Sequence, residues 1–232
     1  MIHLSEIQSF FSSLPVEEAI GKVAELFPGR VKFSTSLGQE DQVLTDMIGR
    51  HHLPVSIFTL DTGRLFNESY ETLEKTRARY RLPIDVYFPL TDTVQKMVTA
   101  HGVNLFYDSV ENRQMCCGVR KVEPLNRALK NTSVWITGLR ASQTDHRRNT
   151  GVAEWMPDKE MYKLNPLINW SYEDVLAYIE KYSVPFNPLH NHGFISIGCA
   201  PCTRSVLPDE DPRAGRWWWE TSHKECGLHL VK

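Results

Sequence analysis

The five cysteines are spaced unevenly, and that spacing is the first sign of chemistry in the chain. Cys116 and Cys117 are adjacent, Cys199 and Cys202 enclose Ala200-Pro201, and Cys226 stands alone in Lys224-Glu225-Cys226-Gly227-Leu228-His229. Consecutive Cα atoms lie about 3.8 Å apart, whereas a disulfide usually spans about 4.4–6.8 Å, so a Cys116–Cys117 bond would be strained. A single zinc ion usually takes ligands roughly two to four residues apart, which the adjacent pair also fits poorly. Two side chains diverging from neighbouring positions can instead reach different corners of a larger object. A four-iron cluster held by Cys116, Cys117, Cys199 and Cys202 meets that requirement; a structural zinc site is the alternative reading. Cys226, beside Gly227 near the end of the sequence, is poorly placed for packing and well placed to attack a substrate.

The bulk composition limits what this chemistry can serve. At 232 residues and 41% hydrophobic content the chain can bury one substantial core. A formal net charge of −2 gives no bias toward nucleic acid or an anionic membrane, so an anionic ligand must be met by a local basic site. The first residues, Met1-Ile2-His3-Leu4-Ser5-Glu6, lack a positive start followed by an apolar run, and no stretch approaches bilayer-spanning length. A cytoplasmic protein is expected, and in that reducing compartment clustered cysteines point to metal or redox catalysis rather than disulfides.

The elements that must position these residues follow from periodicity. Residues 1–27 predict two amphipathic helices separated near Ser13-Leu14-Pro15, with Glu17 and Glu18 suited to a first turn. Strands are predicted over Val31–Ser34, Val55–Leu60, Ile84–Phe88 and Ser133–Thr137, and helices over Glu40–Ile48, Asn67–Tyr80 and Thr91–His101. This alternation indicates an α/β fold, a mostly parallel sheet with helices on both faces, and ligands at the carboxyl ends of its strands. Beyond residue 150 the only clear element is a helix over Ser171–Tyr182 with a capping-box start, and the remainder reads as loops folded over the sheet edge. One domain over 1–216 and a mobile tail over 217–232 is the simplest division.

Ser34-Thr35-Ser36-Leu37-Gly38-Gln39 lies between a strand and a helix, where hydroxyls and backbone amides can meet an anion. It lacks the Gly-Lys-Ser/Thr ending of a Walker loop. Glu40 and Asp41 can satisfy the free amides of the helix start or contact another part of a ligand; an ordinary capped turn is the competing reading.

Six blocks together resemble the assimilatory adenylyl-sulfate reductases. They are Ser34 to Asp41, Leu60-Asp61-Thr62-Gly63-Arg64, Cys116 to Lys121, Gly138-Leu139-Arg140, Ser196 to Arg204, and Lys224 to His229, in order over most of the chain. The resemblance implies a Rossmann-like sheet of the adenine nucleotide alpha-hydrolase type, a [4Fe–4S] cluster on Cys116, Cys117, Cys199 and Cys202, adenosine 5′-phosphosulfate as substrate and thioredoxin as reductant. It implies that Cys226 is the catalytic thiol and forms an S-sulfonate. It further implies that Lys121, Arg140, Arg213 and Arg216 clamp the phosphosulfate, that Ser34 and Ser36 take the nucleotide side, and that His229 helps bind substrate.

Reductases of the 3′-phosphorylated nucleotide typically lack both cysteine pairs, which favours the unphosphorylated substrate; a dual or 3′-phosphate-specific reductase is the nearest alternative. A cluster-bearing sulfur-transfer enzyme for RNA would be expected to carry a more basic surface, and a nucleotide sensor gives Cys226 no purpose. Trp217-Trp218-Trp219 is read as hydrophobic packing, a hinge anchor for the tail, or a subunit contact in a homo-oligomer.

Overall fold

The computed structural model describes residues 2–144 and 147–220. They form two compact units. The first comprises residues up to Thr59, Glu71–Asp85 and Asn131–Asn187; the second comprises Leu60–Tyr70, Val86–Lys130 and the described residues from Pro188 onward.

The first unit is built on a six-stranded sheet. Its strands are β1 (Val31–Thr35), β2 (Ser56–Leu60), β3 (Ile84–Tyr87), β4 (Val134–Ile136), β5 (Ala153–Met156) and β6 (Met161–Leu164), in the spatial order β3-β2-β1-β4-β6-β5. β1 runs parallel to β2 and β4, β4 runs parallel to β6, and β5 is antiparallel to β6. In β1 the residues Val31, Phe33 and Thr35 are buried while Lys32 and Ser34 are only partly so, the period-two pattern of a strand with unequal faces. Registers Phe33↔Ile57, Phe33↔Ile136 and Ile136↔Leu164 stack branched and aromatic residues across the sheet centre.

Helices α1 (Leu4–Ser13) and α2 (Val16–Leu26) come first, as the periodicity predicts, followed by α3 (Gln39–Arg50) and α4 (Asn67–Tyr80). Ile20, Val23, Val43, Leu44 and Ile48 are fully buried, each stabilising the fold by roughly 1.5–3 kcal/mol on transfer from water.

A polar knot fixes α3. The Asp46 carboxylate is fully buried and accepts hydrogen bonds from Arg50 Nε at 2.7 Å, Tyr80 OH at 2.8 Å and Tyr178 OH at 2.8 Å. A buried carboxylate with three donors is stable where an isolated one would not be. Gly49 makes room for it, since a Cβ there would stand 2.9 Å from the Tyr80 ring.

The second unit carries α5 (Thr91–His101), α6 (Val110–Cys117), a π-helical turn over Gly118–Val122 and α7 (Glu123–Ala128). Ser109 caps α6 by accepting from the Asn112 amide at 3.1 Å. The last helix, α8 (Tyr172–Tyr182) in the first unit, begins with the expected capping box between Ser171 and Asp174.

The mostly parallel α/β reading therefore holds, with one correction. The stretch after residue 150, expected as loops, contains the β5–β6 hairpin that completes the sheet edge. All four residues of β6 are buried, Lys163 included, so it shows no alternation. Among the described residues no helix is long and apolar enough to cross a membrane.

Candidate active site and thiol centre

In the first unit the expected anion loop is closed by one of its own carboxylates. Ser36 donates both its backbone N–H and its hydroxyl to Asp41 Oδ2, each at 2.6 Å. Thr35 Oγ1 accepts from the Leu37 amide at 3.0 Å, and Leu37 takes the left-handed conformation at φ 63°. Trp135 Nε1 donates to Ser34 Oγ at 2.8 Å, which leaves the Ser34 hydroxyl proton available to donate. α3 starts after Gly38 with no side-chain cap.

Burial pushes the Asp41 carboxyl up to about 6, against the lowering effect of the Ser36 hydroxyl and amide; the Glu40 charge adds to the rise and the Gly138 amide opposes it.

Arg140, expected to clamp the phosphosulfate, is buried and held within the same unit. Its Nε donates to Glu40 Oε1 at 2.8 Å and its Nη1 to Ser142 Oγ at 2.6 Å, and its guanidinium lies 5.4 Å over the Tyr172 ring. Glu40 also accepts from Gln143 Nε2 at 3.0 Å. An anion bound by Arg140 would share it with Glu40.

In the second unit the two cysteine pairs come together. Cys116 and Cys117 end α6 and are half-buried; Cys199 precedes and Cys202 ends a 3-10 turn over Ala200–Cys202, and both are buried; none of the four is in a disulfide. They line one small, partly open hollow, whose walls include Arg64, Arg113, Arg120, Lys121 and Arg216.

Thr62 Oγ1 lies 3.3 Å from Cys199 Sγ, and Arg120 Nη1 donates to the Thr62 carbonyl at 2.6 Å. Burial works against a thiolate at Cys199, yet Lys121, the Thr62 hydroxyl, Arg216 and Arg120 together bring its pKa below the ordinary thiol value. Cys202 goes the other way, pushed up to about 12 by burial and by its neighbour Cys199. Arg216 lies 4.8 Å over the Trp217 ring, and its guanidinium passes close to Gly198, where a Cβ would push it aside.

The residues present fit an iron–sulfur group. Four thiols amid five cationic side chains suit an anionic thiolate-bound centre. Among the described residues no group of three or more Cys, His, Asp or Glu side chains is placed to hold a single metal ion.

Of the expected site residues, the structure gathers Cys116, Cys117, Cys199, Cys202, Lys121 and Arg216 at one hollow. Arg213 stands on the preceding turn, where its carbonyl accepts from the Arg216 amide at 2.9 Å, and does not line the hollow. Ser34, Ser36 and Arg140 belong to the first unit. Cys226 and His229 lie outside the described residues.

Sequence reasoning missed Thr62, Arg120 and Gly198 as neighbours of the thiols. Each stands inside a block already singled out, and Arg120 directly precedes Lys121.

Residues 30–205 match the model of the phosphoadenosine phosphosulfate reductase domain. The chain is 52% identical over 200 residues to the adenosine 5′-phosphosulfate reductase of Allochromatium vinosum, covering 86% of this chain and 78% of that protein. It is 47% identical over 221 residues to the protein of the same name from Sinorhizobium fredii, covering 95% and 88%. Among solved structures it resembles a phosphoadenylyl-sulfate reductase from Candida auris in a phosphate complex, with TM-score 0.74, 28% identity, and coverage of 88% of this chain and 96% of that one.

Proposed function

The chain belongs to the phosphoadenosine phosphosulfate reductase family, and from that premise we propose that it reduces adenosine 5′-phosphosulfate to sulfite and AMP in sulfate assimilation, toward cysteine. One observation carries the reading: the gathering of four cysteine side chains with Lys121 and Arg216 at a single cationic hollow, in a chain half identical to reductases named for this substrate. The Candida auris enzyme is named for the 3′-phosphorylated nucleotide, but its 28% identity is well below the 52% of the Allochromatium reductase.

Cys116, Cys117, Cys199 and Cys202 would hold a [4Fe–4S] cluster, which when bound supplies fixed charge and structural support beside the cationic side chains. The electrons for the substrate come from elsewhere. The Cys226 thiolate attacks the substrate sulfur, the sulfur–oxygen bond to phosphate breaks, and AMP leaves with the electron pair. The product is a Cys226 S-sulfonate.

A thioredoxin thiolate then attacks the Cys226 sulfur, sulfite departs with the bonding pair, and a mixed disulfide remains. The second thioredoxin thiol resolves it, so two thiols become one disulfide as sulfur gains two electrons.

An ordinary thiol of pKa about 8.5 is only a few per cent ionised at neutral pH, and lowering it to about 7 gains roughly tenfold in the reactive form, about 1.4 kcal/mol. Lys121, Arg140, Arg213, Arg216 and His229 are the proposed partners of the phosphosulfate, and Ser34 and Ser36 of the nucleotide. The proposed compartment is the cytoplasm, whose reducing conditions keep such thiols free.

Steady-state sulfite release from each nucleotide with reduced thioredoxin tests the reading. Release from the unphosphorylated substrate is expected; no sulfite from either nucleotide overturns it.

A further inference from the structure

Arg204 closes the block Ser196 to Arg204, and the proposed chemistry gives it no part. In the second unit it stands at the neck of a loop, residues 204–216, that carries both Arg213 and Arg216. At the neck the Arg204 amide donates to the Gly215 carbonyl at 3.0 Å, and Thr203 forms an antiparallel bridge with Arg216. The two limbs lie close enough to need a glycine: a Cβ on Gly215 would stand 2.2 Å from the Arg204 carbonyl oxygen, a backbone atom that cannot swing aside. Thr203 Oγ1 donates to the Cys199 carbonyl at 3.0 Å, so the neck is joined to the turn that carries the second thiol pair.

The Arg204 guanidinium reaches the far limb of the same loop. Its Nη1 donates to Glu210 Oε2 at 2.7 Å and its Nη2 to Oε1 at 2.9 Å. Glu210 Oε2 also accepts from the Leu207 amide at 2.9 Å, which closes the tip. From Glu210 the chain runs directly into two consecutive turns. Asp211 accepts from the Arg213 amide at 2.8 Å on its side chain and from the Ala214 amide at 2.8 Å on its carbonyl, and the Arg213 carbonyl accepts from the Arg216 amide. One residue therefore holds both limbs, its backbone on Gly215 and its side chain on Glu210. Leu207 at the tip is 68% exposed, so apolar burial does little to shape that end.

Arg216 shows what such a frame serves. Its side chain is buried at the thiol hollow, its Nη1 makes a long bond of 3.4 Å to Ser196 Oγ, and its Nε is buried with no hydrogen-bond partner among the described residues. A buried guanidinium with an unsatisfied donor is set to receive an anion. Glu210 and Asp211 take bonds from within the loop, which keeps these two carboxylates engaged away from that guanidinium.

We infer that Arg204 and Glu210 are positioning residues: their two-bond clasp braces the loop that presents Arg213 and Arg216 to the phosphosulfate. The inference rests on the proposed clamp role of those two arginines. The clasp is partly open to water, with side chains 38% and 30% exposed, so its contribution to global stability is small. Its use is local. A loop held in its binding shape before substrate arrives loses less binding free energy to ordering. Two parallel N–H···O bonds need a guanidinium, whose fork a lysine ammonium does not reproduce.

The test is steady-state sulfite release from adenosine 5′-phosphosulfate with reduced thioredoxin, on iron-loaded full-length protein, for Arg204→Lys and Glu210→Gln. Hydrogen exchange over residues 204–216 and iron content are measured alongside. Both variants are expected to raise KM about fivefold or more with kcat within about twofold, with faster exchange over the loop and parental iron content. The direction separates bracing from charge. Glu210→Gln removes a negative charge from the loop, so a purely Coulombic effect would lower KM for an anion, and Arg204→Lys leaves the charge unchanged.

An unchanged or lowered KM overturns the clasp, whatever the exchange rate of the loop. So does a rise that follows iron loss from variant to variant, which would make the pair a support for the thiol centre alone. If the parent chain itself releases no sulfite, the reductase reading falls, and the clasp is left with nothing to position.

Discussion

A Cβ built on Gly138 would stand 2.1 Å from Oδ1 of Asp41, so the chain leaving β4 meets the first turn of α3 where a side chain would crowd that carboxylate. Asp41 in turn holds the amide and hydroxyl of Ser36 at 2.6 Å. Gly138→Ala is therefore expected to displace the carboxylate and reopen the loop. Overpacking of this kind costs about 1–3 kcal/mol, read as a lower urea midpoint, and AMP affinity should fall together with it. Unchanged stability and affinity would show that the contact relaxes without consequence.

The same carboxylate gives a pH signature. With its pKa raised to about 6 by burial, Asp41 binds a proton in the folded chain that it releases in the unfolded one between about pH 4 and 6. A raised acid stabilises fully below its unfolded value, and that stability is lost as pH rises through the folded value. From pH 5 to pH 7 the loss is about 1 kcal/mol. Asp41→Asn keeps an acceptor for Ser36 and removes the titration. The difference in unfolding free energy between parent and variant should therefore shift by that amount toward the variant as pH rises. A difference independent of pH over this range would contradict the raised pKa.

What could be read in the sequence follows from how locally each feature is encoded. α4 is a continuous polar-to-apolar helical pattern, and it forms over the predicted Asn67–Tyr80. β6 escaped because burial on both faces erases the alternation that marks a strand, and its Lys163 disguises it further. α6 and α7 escaped because a π-helical turn and Pro124 interrupt the helical period between them. The four thiols were legible because ligand spacing is a local property. The buried Arg113–Glu220 ion pair was not, since its members lie 107 residues apart and neither belongs to a recognisable pattern.

Removing one thiol should dismantle the proposed cluster as a whole. Cys199 packs in the same core cluster as Leu105, Phe106, Cys202 and Trp217, so its loss touches both ligation and packing. In Cys199→Ala, iron and acid-labile sulfide are expected to disappear together, with the brown colour, and the thermal midpoint should fall. Chelation of iron from the parent chain should lower the midpoint in the same direction. A colourless parent chain containing about one zinc and no sulfide would establish the zinc alternative instead.

The proposed division between gripping and attacking thiols predicts an opposite result for Cys226→Ser. A serine hydroxyl is not appreciably ionised at neutral pH and cannot replace a thiolate at sulfur, so sulfite release should fall by on the order of 10³-fold or more. No mass increase of one SO₃ should appear after exposure to substrate. Iron, sulfide and the thermal midpoint should stay at parental values, because Cys116, Cys117, Cys199 and Cys202 remain to line the hollow. AMP binding should persist through Ser34 and its neighbours. A Cys226→Ser chain that turns over at the parental rate would move the reaction away from this residue and leave the covalent route without a nucleophile.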